Sequence, residues 1–170
     1  MTTDTKTDAI NLLAGIADDS PMAALRTQKP DVQTYTQGSD DALFNPADPG
    51  GLSLIERELV GLRVAKLTHS VEVATRHRAR LKVLNASAAL VGAAEIGDAQ
   101  TSPRLAAIFS FTDTLTREPR AAMPADIERL TSAGLSDKDV VTLGQLIAYL
   151  SYQVRLLAGL RALGANGGAK

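Results

Sequence analysis

The sequence contains no cysteine and no tryptophan, and histidine occurs only twice. The lack of cysteine excludes a disulfide scaffold and a thiolate metal site. Any chemistry must therefore be sought among carboxylates, hydroxyl groups and the two imidazoles.

Aromatic residues are scarce, at 4% of the chain, and the formal net charge is −1. Few aromatic side chains leave little surface on which nucleic-acid bases could stack. A net charge near zero gives no electrostatic attraction to nucleic acid or to an anionic membrane surface. We therefore expect no nucleic acid and no membrane among the partners.

Long apolar runs are also missing. No stretch approaches the ~18 uninterrupted apolar residues that predict a membrane-spanning helix. The polar start MTTDTKTD lacks the apolar segment of a signal peptide. The expected location is the cytoplasm.

What the sequence does contain predicts one all-α domain. Its 170 residues, 45% of them apolar, suffice for one hydrophobic core, and no alternation of period two indicates a strand. A loop rich in proline and glycine at 45–51 separates an N-terminal helical arm (1–50) from a core (51–164) and a flexible tail (165–170). Helices are predicted at 8–17, 20–28, 30–44 with a break near Gly38, 54–67, 70–84, 87–96, 103–117, 124–133 and 137–163 with a stop at Gly164.

The stretch 52–84 organises the chain, since it predicts two helices that meet at a corner. Ser53 and Glu56 form a capping box at the start of the first helix. Glu58 interrupts the apolar stripe of that helix, so its carboxylate should point toward the core and needs a partner there. On the second helix Ser70 and His77 lie on one face.

A family resemblance follows from this spacing. The residues 12, 15 and 19 positions after Glu58 are Ser70, Val73 and His77. The spacing resembles the pattern E…C-x-x-C-x-x-x-H of the alkylhydroperoxidase D-like family, with serine and valine in the cysteine positions. The segment L-S-x-x-E-R-E-L-V-x-L-R-V-A, from position 52, is similar to the carboxymuconolactone decarboxylase domain of the same superfamily. The resemblance covers at least residues 51–164.

The resemblance implies an all-α alkylhydroperoxidase D-like fold of two related helical units, assembled as a trimer or a hexamer. In the family the Glu and the His serve a proton relay, and the position of its third ionisable residue is Glu72 here. Without the cysteine pair we expect no thiol peroxidase activity. We expect no cofactor, and a cysteine-bearing relative is one candidate partner.

An internal repeat supports two units. At an offset of 83 residues, Leu52-Ser53 matches Leu135-Ser136, and the same offset pairs Gly61 with Gly144, Ala65 with Ala148 and Leu67 with Leu150. These matches are expected at buried helix positions. The second copy has Gln153 and Leu160 opposite Ser70 and His77, and therefore carries no second polar site.

Three interpretations of the candidate residues stay open at this point. Ser70 is either a nucleophile or a helix cap. The cap is the simpler interpretation, because Ser70 lies about 10 Å along the helix from His77, beyond the hydrogen-bond reach that a nucleophile and its base need. His69, Glu72, His77 and Glu58 are metal-ligand types without a convergent geometry, so no metal is expected. Glu72 is better explained by an exposed ion pair with Arg76.

The strongest hypothesis is a buried Glu58–His77 pair that performs acid–base chemistry on a small organic acid or related metabolite. The alternatives are a structural polar pair in a non-catalytic oligomeric subunit, or a small-molecule-binding protein. Cations for a substrate carboxylate are available by type only, from Arg63, Arg80 and Arg155. The catalytic candidates are Glu58, His77, Ser70 and Glu72, and the substrate-binding candidates are His69, Arg80 and Tyr152.

Overall fold

The computed structural model describes residues 8–97 and 102–165. Within these ranges the chain forms nine α-helices, one short 3-10 turn (Pro119–Ala121) and no strand. The helices are α1 (Ala9–Ala14), α2 (Pro21–Thr27), α3 (Pro30–Phe44), α4 (Leu54–Leu67), α5 (Val71–Val83), α6 (Ala88–Ile96), α7 (Pro103–Arg117), α8 (Pro124–Ser132) and α9 (Asp137–Ala165). The all-α prediction is confirmed, whereas the predictions for 1–7, 98–101 and 166–170 fall outside the described residues.

Three details of the predicted helices were wrong. Helix α1 ends three residues before its predicted end, because Gly15 forms a left-handed cap with a φ of 64°. Helix α3 continues through Gly38, because burial of Thr36, Asp40, Leu43 and Phe44 along one face outweighs a glycine cost of ~1 kcal/mol. Helix α9 likewise passes Gly164 and extends to Ala165.

Helix α4 is the centre of the fold. It packs against α5, α6, α7 and α9, and its residues from Arg57 to Ala65 are all buried. This central position agrees with the prediction that the stretch 52–84 organises the chain. Any polar group in the middle of α4 must find its partner inside the protein.

A buried arginine fixes the loop before α4. The guanidinium of Arg57 donates to the carbonyls of Leu52, Leu43 and Pro49 at 2.9, 2.7 and 2.8 Å. Burial lowers the pKa of Arg57 from its usual value. Because these carbonyls belong to α3 and to the loop 45–53, Arg57 holds the end of α3 against α4.

The corner between α4 and α5 is a Schellman turn. His69 adopts a left-handed φ of 56°, the N–H of Ser70 donates to the Ala65 carbonyl at 2.9 Å and the N–H of His69 to the Lys66 carbonyl at 3.4 Å. This turn lets α5 pack on α4.

Helix α9 is long and apolar enough to cross a membrane, judged by length and composition alone. It packs against α1, α3, α4, α7 and α8. These contacts account for its buried apolar residues, as in the core helix of a globular domain.

The two helix starts related by the 83-residue offset share one capping device. Ser53 and Glu56 exchange side-chain-to-backbone bonds at the start of α4, and Ser136 and Asp139 do the same at the start of α9. Arg104 joins the two starts, because it donates to Glu56 at 2.6 Å and to the carbonyls that precede each helix, those of Gly51 and Gly134.

The repeat is less regular beyond these caps. Ala148 is exposed and Gly144 only partly buried, whereas Ala65 and Gly61 are buried, so the prediction that the matched positions are all buried was wrong. The second copy also lacks the corner, since α9 runs straight through the positions where α4 ends and α5 begins.

Candidate functional site

The structure brings Glu58 of α4 and His77 of α5 into direct contact. Nδ1 of His77 lies 2.6 Å from Oε2 of Glu58, and the two side chains are 1% exposed for Glu58 and 0% exposed for His77. The expected contact between the carboxylate and the imidazole therefore exists. Its catalytic role stays a prediction.

The imidazole is tightly packed. A Cβ at position 61 would overlap the ring atoms Cε1, Nδ1 and Nε2 of His77, so Gly61 lets the ring lie against the backbone of α4. On another side the ring of Phe44 lies 5.1 Å away, measured between centroids.

Burial lowers the pKa of His77 below its usual value, and the positive charges of Arg76 and Arg80 act in the same direction. The hydrogen bond and charge of Glu58 oppose this shift. We conclude that burial prevails, because Arg80 already balances the charge of Glu58. The neutral ring then donates its Nδ1–H to Glu58. Its Nε2 is buried and has no hydrogen-bond partner among the described residues.

Arg80, which the sequence made a substrate-binding candidate, binds Glu58 of the buried pair. Its Nε lies 2.5 Å from Oε1 of Glu58, and its Nη2 donates to the Phe44 carbonyl at 2.9 Å and to the Asn45 side chain at 2.8 Å. A buried carboxylate needs such a cation. Arg80 is 31% exposed, so it also connects the pair with the surface.

A second polar network lies beside the first, and its Arg76 also lies over the ring of Phe44, 5.5 Å from the centroid. Arg76 forms an ion pair with Asp40, which is only 2% exposed and also accepts the hydroxyl of Tyr149 at 3.1 Å. Burial raises the pKa of Tyr149, so this hydroxyl stays protonated and donates. Gln153 donates in turn to the Tyr149 hydroxyl at 3.4 Å.

This network corrects one expectation. The predicted Glu72–Arg76 ion pair was wrong, because Glu72 pairs with Arg161 of α9 at 2.7 Å instead. A nearly fully buried Asp40 requires a charged partner more than a half-exposed Glu72 does. Glu72 contributes to the surface of a neighbouring cavity, whereas the hydrogen bonds of the Glu58–His77 pair go to Arg80.

Ser70 occupies the cap position of α5, but its side chain makes no capping bond, so the capping interpretation was wrong for the hydroxyl. The hydroxyl is buried and has no hydrogen-bond partner in the described part of the chain. The serine is therefore not joined to His77, as its two-turn separation on the helix predicts. His69 is exposed and lines a cavity with Ser70, away from the buried pair.

Tyr152 is not brought to the pair either. It is 40% exposed, and its hydroxyl lies 3.0 Å from Oγ1 of Thr36 in a surface groove that includes neither His77 nor Arg80. Among residues 8–97 and 102–165 no three His, Asp or Glu side chains are grouped as metal ligands.

The cavity nearest to both networks has a volume of about 720 Å³ and lies between α1, α3 and α5. Arg76 and Arg80 stand in its wall, with apolar side chains of α1, Leu12 and Leu13, as neighbours. Glu58 and His77 do not line it. Nη1 of Arg76 is buried and has no hydrogen-bond partner within the described residues.

Asp40, Arg76 and Phe44 were not predicted from the sequence as members of the site. A signal was present, since Thr36, Asp40 and Phe44 recur at spacings of four and so share one helix face. Which of the neighbouring residues Asp40 and Asp41 faced the core was decidable from that spacing.

Solved structures show which fold this is. The chain matches, with a TM-score of 0.69, the crystal structure of an uncharacterized peroxidase-related protein from Silicibacter sp. TM1040, at 19% identity over 76% of this chain and 68% of that chain. It matches with the same TM-score the alkylhydroperoxidase AhpD core of an uncharacterized peroxidase-related protein from Ralstonia eutropha JMP134, at 21% identity over 86% and 85% of the two chains.

A third match, again with a TM-score of 0.69, is a protein of unknown function from Agrobacterium tumefaciens, at 15% identity over 79% of this chain and 91% of that chain. No family model matches the sequence, and no curated protein matches it. The chain therefore has the AhpD-like fold of peroxidase-related proteins, and the predicted resemblance is confirmed at the level of the fold. It carries that fold without any cysteine.

Proposed function

We propose that this protein uses the AhpD-like fold to bind a small organic acid in the cavity between α1, α3 and α5, without thiol redox chemistry. The observation that supports this function is the buried Nη1 of Arg76, which has no hydrogen-bond acceptor in the described part of the chain. A buried guanidinium N–H without an acceptor is costly. A ligand carboxylate would supply a charge-assisted hydrogen bond at this atom.

The cavity favours one carboxylate on a short apolar body. Its volume of about 720 Å³ is within the usual range for small-molecule sites. Leu12, Leu13 and Val71 offer apolar surface for the body of the ligand, and Arg76 and Arg80 offer positive charge for its carboxylate.

In this proposal Glu58 and His77 are positioning residues. Glu58 holds the guanidinium of Arg80 at the cavity wall, and His77 holds the other carboxylate oxygen of Glu58. The ligand itself contacts the two arginines.

The acid–base hypothesis is a second candidate, supported by the unpartnered Nε2 of His77 among the described residues. A neutral imidazole whose Nδ1–H is bound to a carboxylate is a base at Nε2. The ring would have to gain access to the ligand by a movement of Phe44, whose ring lies 5.1 Å away, measured between centroids. Turnover of a bound acid that is abolished by His77→Gln, with binding retained, would support this candidate.

The binding proposal is tested by calorimetric titration with monocarboxylates of increasing chain length, each paired with the neutral amide of the same acid. We expect saturable binding of acids only. Arg76→Met should weaken it by about tenfold or more, the value of one hydrogen bond to a charged group.

Two controls separate a lost contact from a damaged fold. Arg78→Met removes a cation from the same helix whose guanidinium pairs with Glu95 outside this cavity, and should bind acids as the parent protein does. The double variant Asp40→Asn with Arg76→Met removes the ion pair without leaving Asp40 unpaired, and should stay folded but bind weakly. Equal binding of acids and amides, or an unchanged affinity in both Arg76 variants, would refute the proposal.

A further inference from the structure

A second cavity, of about 340 Å³, opens at the corner between α4 and α5. Three basic residues stand in its wall, namely Lys66, His69 and Arg78, and the wall includes no Asp or Glu among the described residues. The remaining lining residues are Ala65, Ser70, Val71 and Ala74. The chemistry of this wall is therefore suited to an anion.

The N-terminus of α5 adds hydrogen-bond donors to this cavity. Helix α5 has 13 residues and receives no side-chain cap from Ser70. The backbone N–H groups of its first turn, at residues 71–73, have no partner within the helix. Together with the helix dipole, such N–H groups favour a negatively charged ligand.

Ser70 provides an independent observation that a ligand belongs here. Ser70 is only 6% exposed. Its Oγ is buried and has no hydrogen-bond partner among residues 8–97 and 102–165. A buried hydroxyl that makes no hydrogen bond costs free energy. Since Ser70 also precedes the first turn of α5 and lines the cavity, an anion bound at the helix start would satisfy it.

The local charges do not cancel this preference. Lys66 forms no ion pair in the described part of the chain, and Arg78 pairs with Glu95 at 2.6 Å. Glu72, the one acidic residue in the first turn of α5, is bonded to Arg161 and lines the other cavities. The nearest carbonyls of α4, those of Ala65 and Lys66, already accept the bonds of the Schellman turn.

We propose that this corner binds a phosphate-type oxyanion, either inorganic phosphate or the phosphoryl group of a small phosphomonoester. The N–H groups of residues 71–73 and the hydroxyl of Ser70 donate to its oxygens, and Lys66, His69 and Arg78 supply positive or donor groups at the rim. The two cavities share only Val71 among their lining residues, and this proposal does not rest on the organic-acid proposal.

The test is an amide-detected NMR titration of the full chain with inorganic phosphate and with phenyl phosphate, at constant ionic strength set by chloride. We expect saturable shifts of the amide resonances of Val71, Glu72 and Val73. If phenyl phosphate binds more tightly than inorganic phosphate, the natural ligand is a phosphomonoester, and the reverse order indicates the free ion. Phenol serves as the neutral control and should cause no shift.

Two variants assign the contacts. Ser70→Ala should weaken phosphate binding by about tenfold without lowering the melting temperature, since its hydroxyl caps nothing. Lys66→Met should weaken binding by about threefold, whereas Lys82→Met, with the same charge change at the other end of α5, should not. The absence of saturable shifts at residues 71–73, or the same affinity in Ser70→Ala and the parent protein, would overturn the proposal.

Discussion

Gly61 of α4 and the imidazole of His77 in α5 fit together without space between them. A Cβ added at position 61 would overlap three ring atoms of His77. This close approach places the ring where Nδ1 reaches Oε2 of Glu58, one turn earlier on the same helix as Gly61. The absence of a side chain at one position therefore determines the geometry of the buried polar pair.

Replacing Gly61 should be harmful for this reason. We expect Gly61→Ala to lower the free energy of unfolding by about 1–3 kcal/mol, the usual cost of overpacking a core. Gly144 is the matched control, since it lies 83 residues later in the repeat and a Cβ added there would meet no neighbouring atom within 4 Å. Gly144→Ala should stabilise the protein by about 0.5–1 kcal/mol through helix propensity. Chemical denaturation measures both, and a neutral Gly61→Ala would contradict the packing.

The pKa shift of His77 predicts a pH dependence of stability. Burial lowers the pKa of His77 in the folded protein, while the unfolded chain protonates it near pH ~6.5. The unfolded state therefore binds more protons below that pH. The contribution of His77 to the free energy of unfolding should therefore be fully present above about pH 7. Below ~6.5 the free energy of unfolding should fall, by up to ~1.4 kcal/mol per pH unit.

Denaturation between neutral pH and mildly acidic pH measures this slope. His77→Gln should flatten it, and His69→Gln, at an exposed position, should leave it as it is. If the parent protein instead became more stable on acidification over this range, the folded imidazole would have to be charged.

The duplicated capping box predicts similar costs at two distant positions. Ser53→Ala and Ser136→Ala each remove a serine that accepts the N–H of the residue three positions later. Each substitution should lower the free energy of unfolding by about 1 kcal/mol. The two losses should not be additive, because hydrogen bonds of Arg104 and Gly51 connect the two caps. A double-mutant cycle measures the coupling, and strict additivity would show that the connection carries no energy.

The lack of cysteine predicts that the fold is not accompanied by thiol peroxidase activity. A hydroperoxide assay with a dithiol donor should give the rate of the donor alone, because no protein thiolate is available to attack the peroxide. Turnover of a hydroperoxide that needs no thiol would contradict this expectation and would point to a different reaction.

The burial of Glu58 was predictable from local patterns, and its pairing with His77 was implied by the family resemblance. Glu58 interrupts an apolar stripe at helical spacing, so only an internal partner makes its burial tolerable. The capping box at Ser53 and the corner before Ser70 fix the two helices that bring His77 to it. The same local rules predicted most helix starts, such as Ser20-Pro21 and Ser102-Pro103.

The rest depends on contacts between distant segments. Arg80 was recognised only as a cation. Its bonds to Glu58 and to the Phe44 carbonyl require knowing that α4 and the end of α3 both lie beside α5. Arg76 was paired with Glu72 from helix spacing, but Asp40, 36 residues away, is the more deeply buried carboxylate. Local spacing gives the candidates for an ion pair, whereas burial decides among them.

The most direct measurement of the central claim is the protonation state of the His77 ring, observed by long-range hydrogen–nitrogen NMR at neutral pH. We predict a neutral imidazole with its proton on Nδ1, bonded to Glu58, and an unprotonated Nε2. A Glu58→Leu variant, which removes the acceptor of the Nδ1–H, should lose the preference for this tautomer. A proton on Nε2, or a charged ring in the parent protein, would contradict the proposed pair.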